Sequence, residues 1–411
     1  MSQGSARSRV VKVALVGGPM YDGLYQSFPE FSRRSGFEVE VVFRAPHPEL
    51  NAWVRSSFEN GDPDVDLLST HTKYAPSQVQ WLLPLDGRLE PAEVGDLLAR
   101  PAELARIGGR LMQVPRNLDM RLLYYRRDLF EDPRSVEAFA AAHRRPLGVP
   151  STWDELVEVA IFLTGPGCHG FLFPGRDSGL FGTFYELLVS AGGELFDAEL
   201  RPAFDSPAGW WAADRLAELH HRRRVTPPEL PRWHYDEVSA CFREGGAAMV
   251  CDWPGSHYLY VDPATCRVAD RVGLGLLPGG FTGRRAAYAG CHSFALSARA
   301  GNVEGALALL RFLTSEESQL AEARRGAVPV RRSALEAIRS AASEPAEVRR
   351  WDLLARTSEE ALIIPPRFGS YPACEDAIWQ SLQDALEGRL TPRAAVAAAR
   401  EAIENVLRGG S

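Results

Sequence analysis

Trp253 follows a short apolar run, residues 247–250, in the stretch FREGGAAMVCDWPGSHYLY at 242–260. Gly245 and Gly246 stop the preceding helical pattern, since glycine accepts a left-handed backbone at little steric cost. The small apolar residues that follow read as a strand in a covered sheet, and Trp253 with Pro254 leaves it at a strand end, where open α/β sheets place ligands. An indole there offers a flat apolar face and one N–H donor, which suits the C–H face of a sugar ring. Its structural alternative is packing beneath a loop.

Planar polar groups would have to bracket the hydroxyls of such a ligand, because carboxylates and guanidinium groups bond vicinal hydroxyls in pairs. They occur at six further places. PMYDG after the first strand supplies Tyr21 and Asp22, and Asp22 suits a helix cap equally well. STHTKY beyond another strand end supplies Thr70, His71 and Tyr74. RNLDMR supplies Arg116, Asn117, Asp119 and Arg121 between two apolar runs; these charges would need partners if buried, and a self-satisfied network is the competing role. RDSGLFGTFYE supplies Ser178, after Arg176 and Asp177. AGCHS supplies Gly290 and His292, and PPRFGSY supplies Arg367 and Tyr371. Ser256 and His257 follow Trp253 itself. Trp153 and the pair Trp210 and Trp211 lie on helical patterns and read as core.

The elements that position these residues follow from periodicity. VVKVALVGG (10–18) is a strand running into a glycine turn. GLYQSFPEFSRRSG (23–36) is an amphipathic helix stopped by Gly36, FEVEVVFR (37–44) a strand, ELNAWVRSSFENG (49–61) a helix and DVDLLST (64–70) a strand. This β-α-β-α-β order predicts a mostly parallel sheet covered by helices. RLMQVPRNLDMRLLYYRRDLF (110–130) reads as two extended runs, 111–115 and 122–125, joined by a polar turn at 117–119. TWDELVEVAIFLTG is a helix with Thr152 as N-cap and Glu155 closing a capping box. Asn302 caps a later helix, and residues 391–407 close the chain as a strong helix.

Composition narrows the class. The chain has 411 residues, too many for one core, and two lobes are expected. No linker separates them cleanly, so each lobe should be discontinuous. Net charge −7 disfavours nucleic acid or an anionic membrane surface as partner. No apolar run approaches the ~20 residues a membrane helix needs. The basic N-terminus lacks a signal-peptide apolar region, so either the protein is cytoplasmic or a leader was removed. The six cysteines form no CxxC pair, and no metal or cofactor is expected. GxSxG, Walker and HExxH motifs are absent, and Gly17-Gly18-Pro19 lacks the GxGxxG spacing. Carboxylates are plentiful, and Asp119 with Glu186 could be posited as a glycosidase pair, but nothing in the sequence brings them to catalytic separation.

Taken in chain order, VPRNLDMRLLYYRRDLF (114–130), PSTWDELVEVA (150–160), FREGGAAMVCDWP (242–254), LLPGG (276–280), ALALLRFLTSEESQ (306–319), GAVPVRRS (326–333) and TPRAAVAAAREAIENVL (391–407) make the chain resemble the family-1 extracellular solute-binding proteins of ABC importers, in their maltose- and trehalose-binding group. The resemblance implies an α/β, periplasmic-binding-protein-like fold. Its two lobes would each carry a mostly parallel sheet flanked by helices and be joined by crossing hinge strands. Residues 10–123 plus 291–335 would form one lobe, 124–290 plus 336–407 the other, and 1–9 a tail. It also implies a monomer without catalysis, a carbohydrate held between the lobes, importer membrane subunits as partners and an extracytoplasmic location. AGCHSF departs from relatives that carry Gly-Gly. Competing readings are an acidic or sulfonated sugar or other organic anion as cargo, a glycoside-active enzyme, and a cytoplasmic sugar sensor.

Overall fold

A computed structural model describes residues 9–61 and 63–409; residues 1–8 of the expected tail lie outside the described residues. The chain divides into two compact units. The first takes the chain up to Asp119, then Gly290–Ser343 and Arg367–Gly369; the second takes Met120–Ala289, Glu344–Pro366 and the chain from Ser370 on.

In the first unit, strands β1 (Val10–Val16), β2 (Glu38–Ala45) and β3 (Leu67–His71) are parallel, with β1 central. The short pair β4 (Arg106–Ile107) and β5 (Arg110–Leu111) forms a separate hairpin, and β6 (Val114–Met120) follows. Alternation along β1 sends Val11, Val13 and Leu15 into one core, with Leu309 and Leu313. Ala14 and Val16 enter the opposite core, with Leu50, Val54 and Phe58. Two filled faces are what a helix-covered parallel sheet requires. One helix was expected over 23–36; two form, Pro19–Tyr25 and Phe28–Ser35, and Gly36 ends the second at φ 76°.

The expected polar turn at 117–119 is strand instead. β6 runs unbroken through Asn117 and Asp119, every residue buried. The strand tolerates these polar groups because each finds a partner within the first unit, as described below.

The second unit holds β7 (Leu122–Arg126), β8 (Met249–Asp252), β9 (Val272–Gly275) and β11 (Leu362–Ile363), the last paired in parallel with the start of β10 (Ala287–Leu296). Where a mostly parallel sheet was expected, β7 is antiparallel to both β8 and β9. β7 arrives straight from β6 rather than through a helical crossover inside the unit, so nothing obliges it to run parallel. Parallel bridges from His169 to Ala247 and from Leu172 to Val250 extend β8 on its other side. The rest of β10 enters the first unit and runs antiparallel to β3.

Helix starts follow local chemistry. Thr152 caps Trp153–Leu163 by accepting from Glu155 N, while the Glu155 carboxylate reaches Ser151 N, one residue ahead of the expected capping-box partner. Asn302 caps Val303–Leu313 through Gly305 N. Trp153 is 1% exposed and is core. Among the described residues no helix is long and apolar enough to cross a membrane.

Candidate functional site

Two clusters collect the candidate side chains, one in each unit. In the first unit, three loops or strand ends converge. Tyr21 lies just past β1, His47 opens the helix His47–Asn60 just past β2, and His71 ends β3. His292 on β10 stands directly opposite His71 in the ladder. Their rings touch: centroids lie 4.9 Å apart for His47 and His292, 5.1 Å for His71 and His292, and 5.0 Å for Tyr21 and His292. Tyr74 stands against His47 and His71, with the Lys73 ammonium 4.8 Å from its ring. Gly290 makes this possible, since a Cβ there would lie 2.3 Å from the His71 ring.

Hydrogen bonds order the cluster. His292 Nδ1 lies 2.9 Å from His47 Nε2, and His292 Nε2 lies 3.1 Å from the Tyr21 hydroxyl and 3.0 Å from Asp119 Oδ2. Asn117 Nδ2 donates to Asp119 Oδ1 at 2.8 Å, and Lys73 N donates to His71 Nδ1 at 3.2 Å. Burial, added to by the neighbouring His292 ring and the Lys73 ammonium, holds His47 and His71 well below the ordinary imidazole value, so both are neutral at pH 7. Burial and Asp119 push the Tyr21 phenol well up, so its hydroxyl keeps its proton. The imidazole nitrogens bond one another and their neighbours rather than converge on a point. Among the described residues no group of three or more His, Cys, Asp or Glu is arranged to hold a metal ion.

In the second unit the cluster is aromatic. Trp253 follows β8 and stands 5.6 Å from Tyr235 and 5.7 Å from Tyr288, centroid to centroid. Its backbone is pinned by Tyr124 Oη, which donates to Trp253 O at 3.1 Å. The helix Asp177–Ser190 packs against the flanking rings through Gly179 and Gly182. A Cβ at Gly182 would lie 2.6 Å from Tyr288 and 2.7 Å from Arg121. The Arg121 guanidinium lies 6.0 Å from the Trp253 ring and is fully buried. It donates to Cys251 Sγ, Gly179 O and Thr183 Oγ1, and stands 3.6 Å from Glu186, also fully buried. Burial pushes Glu186 up to about 7 against the opposing pull of Arg121.

The expected residues therefore separate. Tyr21, His71, Tyr74, Asn117, Asp119, Gly290 and His292 belong to the first cluster, and Trp253 to the second. Others have partners elsewhere. Arg116, buried, is ion-paired with Glu322 and lies over the Tyr21 ring. Thr70 donates to Gln78 at 2.7 Å, and Asp22 pairs with Arg44 instead of capping a helix. Arg367 donates to the carbonyls of Thr72 and Leu104. Ser256 is buried and bonds Asp252. Ser178 sits in the first turn of Asp177–Ser190. Two placements correct the expectation outright. Arg121 is sealed inside the second unit with its donors used, and Tyr371 is fully buried with its hydroxyl bonded to Glu375. His47, Tyr235 and Tyr288 were not anticipated. His47 carried the signal used for Tyr21 and His71: it follows a parallel strand end, in APHPEL.

Comparison with known proteins adds the lineage. A probable amino-acid ABC transporter periplasmic-binding protein of Sinorhizobium fredii is 30% identical over 214 residues, covering 51% of this chain and 48% of that protein. The mannitol-binding protein of Pseudomonas aeruginosa is 26% identical over 243 residues, covering 57% and 52%. The chain thus spans about half the length of these curated relatives. The solved structure of maltose-bound T. maritima MalE3 superposes with a TM-score of 0.85 at 26% identity, covering 97% of this chain and 99% of that one. The model of the bacterial extracellular solute-binding protein family matches residues 17–320, and the chain belongs to that family.

Proposed function

We propose that this protein binds a polyhydroxylated ligand, a carbohydrate or sugar alcohol, outside the cytoplasm and hands it to the membrane subunits of an ABC importer without making or breaking a bond. The observation that carries the reading is the division of labour between the clusters. Trp253, flanked by Tyr235 and Tyr288, supplies aromatic surface of the kind that covers C–H faces. The His47, His71, His292 and Asp119 cluster supplies hydrogen-bonding groups of the kind that hold hydroxyls. The maltose of the T. maritima protein and the mannitol of the Pseudomonas protein are ligands of this class.

The reading requires one ligand to engage both clusters. Thermal-shift screening against sugars and sugar alcohols tests the class. A ligand that binds only the folded chain raises Tm by an amount that grows with the logarithm of its concentration over Kd, and silence across the panel would refute the proposal. The Sinorhizobium relative, named for amino acids, favours a second reading. In that case amino acids, not sugars, would shift Tm in the same screen.

A further inference from the structure

The glycine pair that ends the helix Tyr235–Arg243 brings two thiols together in the second unit. Gly245 takes φ 86° and its N–H bonds Phe242 O, while the Gly246 N–H bonds Cys241 O, both at 2.9 Å. This paired closure folds the chain back over the last helical turn and sets residue 246 against Cys241. A Cβ at Gly246 would lie 2.8 Å from Cys241 Sγ, so that sulfur fills the space a side chain at 246 would take. A second segment runs alongside. His169 N donates to Gly246 O and His169 O accepts from Ala248 N, each at 2.8 Å, which makes a parallel bridge between His169 and Ala247. One residue back, Cys168 is level with Gly246. Neighbouring strands lie about 4.8 Å apart, and residues level with each other in a parallel ladder point to the same face. Cys168 therefore points to the face on which Cys241 Sγ lies.

We infer that Cys168 and Cys241 are a disulfide-forming pair, a thiol modification site at the root of β8. Both are thiols in the structure and both are half-buried, whereas Cys251, Cys266, Cys291 and Cys374 are buried. Exposure of this kind is what a small oxidant needs. Burial and the neighbouring Cys168 push the Cys241 thiol up to about 11. Burial raises Cys168 as well, but there the Arg126 guanidinium pulls the other way. Arg126 is held in place by donating to Gly245 O at 3.2 Å and to Asp128 at 2.6 Å. Cys168 is therefore the first nucleophile. Its thiolate attacks one sulfur of a small-molecule disulfide and expels the other as a thiolate. Cys241, deprotonated in turn, attacks Cys168 Sγ of the mixed disulfide and expels the second thiolate. Two protein thiols become one S–S bond, the oxidant is reduced to two thiols, and the two protons pass to them. The bond ties the segment after the helix Trp153–Leu163 to the helix that carries Tyr235, just before the strand that delivers Trp253. This goes beyond the transport reading and holds whatever the ligand is; the location proposed above, outside the cytoplasm, is where such a bond persists.

The test uses the full chain, reduced, freed of reductant and incubated with oxidised glutathione at about pH 8.5, where thiolates are plentiful. Free thiols are then alkylated in denaturant, and a non-reduced digest is mapped by mass spectrometry. Wild type should fall from six alkylated cysteines to four, with Cys168 and Cys241 in one linked pair of peptides. Cys168→Ser and Cys241→Ser should each give no linked pair, and Cys241→Ser should keep glutathione on Cys168. Melting supplies a second readout. Oxidised wild type should melt about 5 °C or more above the reduced chain, because the bond closes a long loop, and neither serine variant should show that gap. Free thiols at both 168 and 241, glutathione stranded on Cys168 of the wild type, or a link from either residue to Cys266 would each overturn the inference. So would an oxidised wild type that melts no higher than the reduced chain, since thiols already in place close without strain.

Discussion

The two clusters solve opposite problems with the same device, a buried carboxylate. In the second unit Glu186 stands against Arg121 beneath Trp253; both groups are fully sealed, and the surface they support is apolar. In the first unit Asp119 meets the His292 imidazole and the Asn117 amide rather than a guanidinium, and the surface it supports is polar. A carboxylate paired with a fixed guanidinium builds a rigid base, because Arg cannot shed its proton. A carboxylate facing groups with interchangeable donors and acceptors instead selects which edge they present. The first arrangement governs stability and the second governs recognition, and substitutions should divide along that line.

The largest effect should come from Glu186→Ala. It leaves Arg121 buried without its counter-charge, and a loss of about 3–5 kcal/mol in urea unfolding is expected. A loss below about 1 kcal/mol would mean that the pair is not a structural base. Trp253→Ala should act on binding instead, weakening the cognate ligand by about 1–3 kcal/mol in calorimetry while the urea midpoint stays within error. A large stability loss with unchanged affinity would move Trp253 from the site into the core.

The two close-approach glycines sharpen the contrast. Gly182→Ala would press on Tyr288 and Arg121, and Gly290→Ala on His71. Each should cost about 1–3 kcal/mol of stability as overpacking. Only Gly290→Ala should also disturb the histidine resonances, and equal disturbance by both would blur the two regions into one. The smallest effect is in pH. His47 and His71 are neutral when folded but protonate near about pH 6.5 when unfolded. Below that the unfolded chain binds more protons, so stability is full above about pH 6.5 and falls as pH drops. The slope should be up to about 1.4 kcal/mol per pH unit per histidine. His47→Phe should flatten it, and an unchanged slope would contradict the burial argument.

What was legible in the sequence follows the same division. Alternation and helix caps carry local information, so β1, β2, β3, Thr152 and Asn302 could be read directly. The second unit's antiparallel β7 could not, because strand direction there depends on which unit the preceding strand came from. RNLDMR looked like one polar patch, yet Arg121 enters the core of the second unit while Asn117 and Asp119 belong to the first. The unit boundary falls inside the motif, and nothing local marks it. His47 was missed although the strand-end rule that located Tyr21 and His71 applies to it equally. Tyr235 and Tyr288 come from distant segments, brought beside Trp253 by packing on Gly179 and Gly182.

The central claim is that binding of a polyhydroxylated ligand draws on the aromatic surface at Trp253 and on the hydrogen-bonding groups around His47 and His292. Calorimetric titration of that ligand into wild type, Trp253→Ala, His47→Phe and the double variant tests it most directly. The account predicts that each single variant weakens the same ligand and that the double variant weakens it further. A ligand whose affinity is untouched by either substitution would contradict the claim.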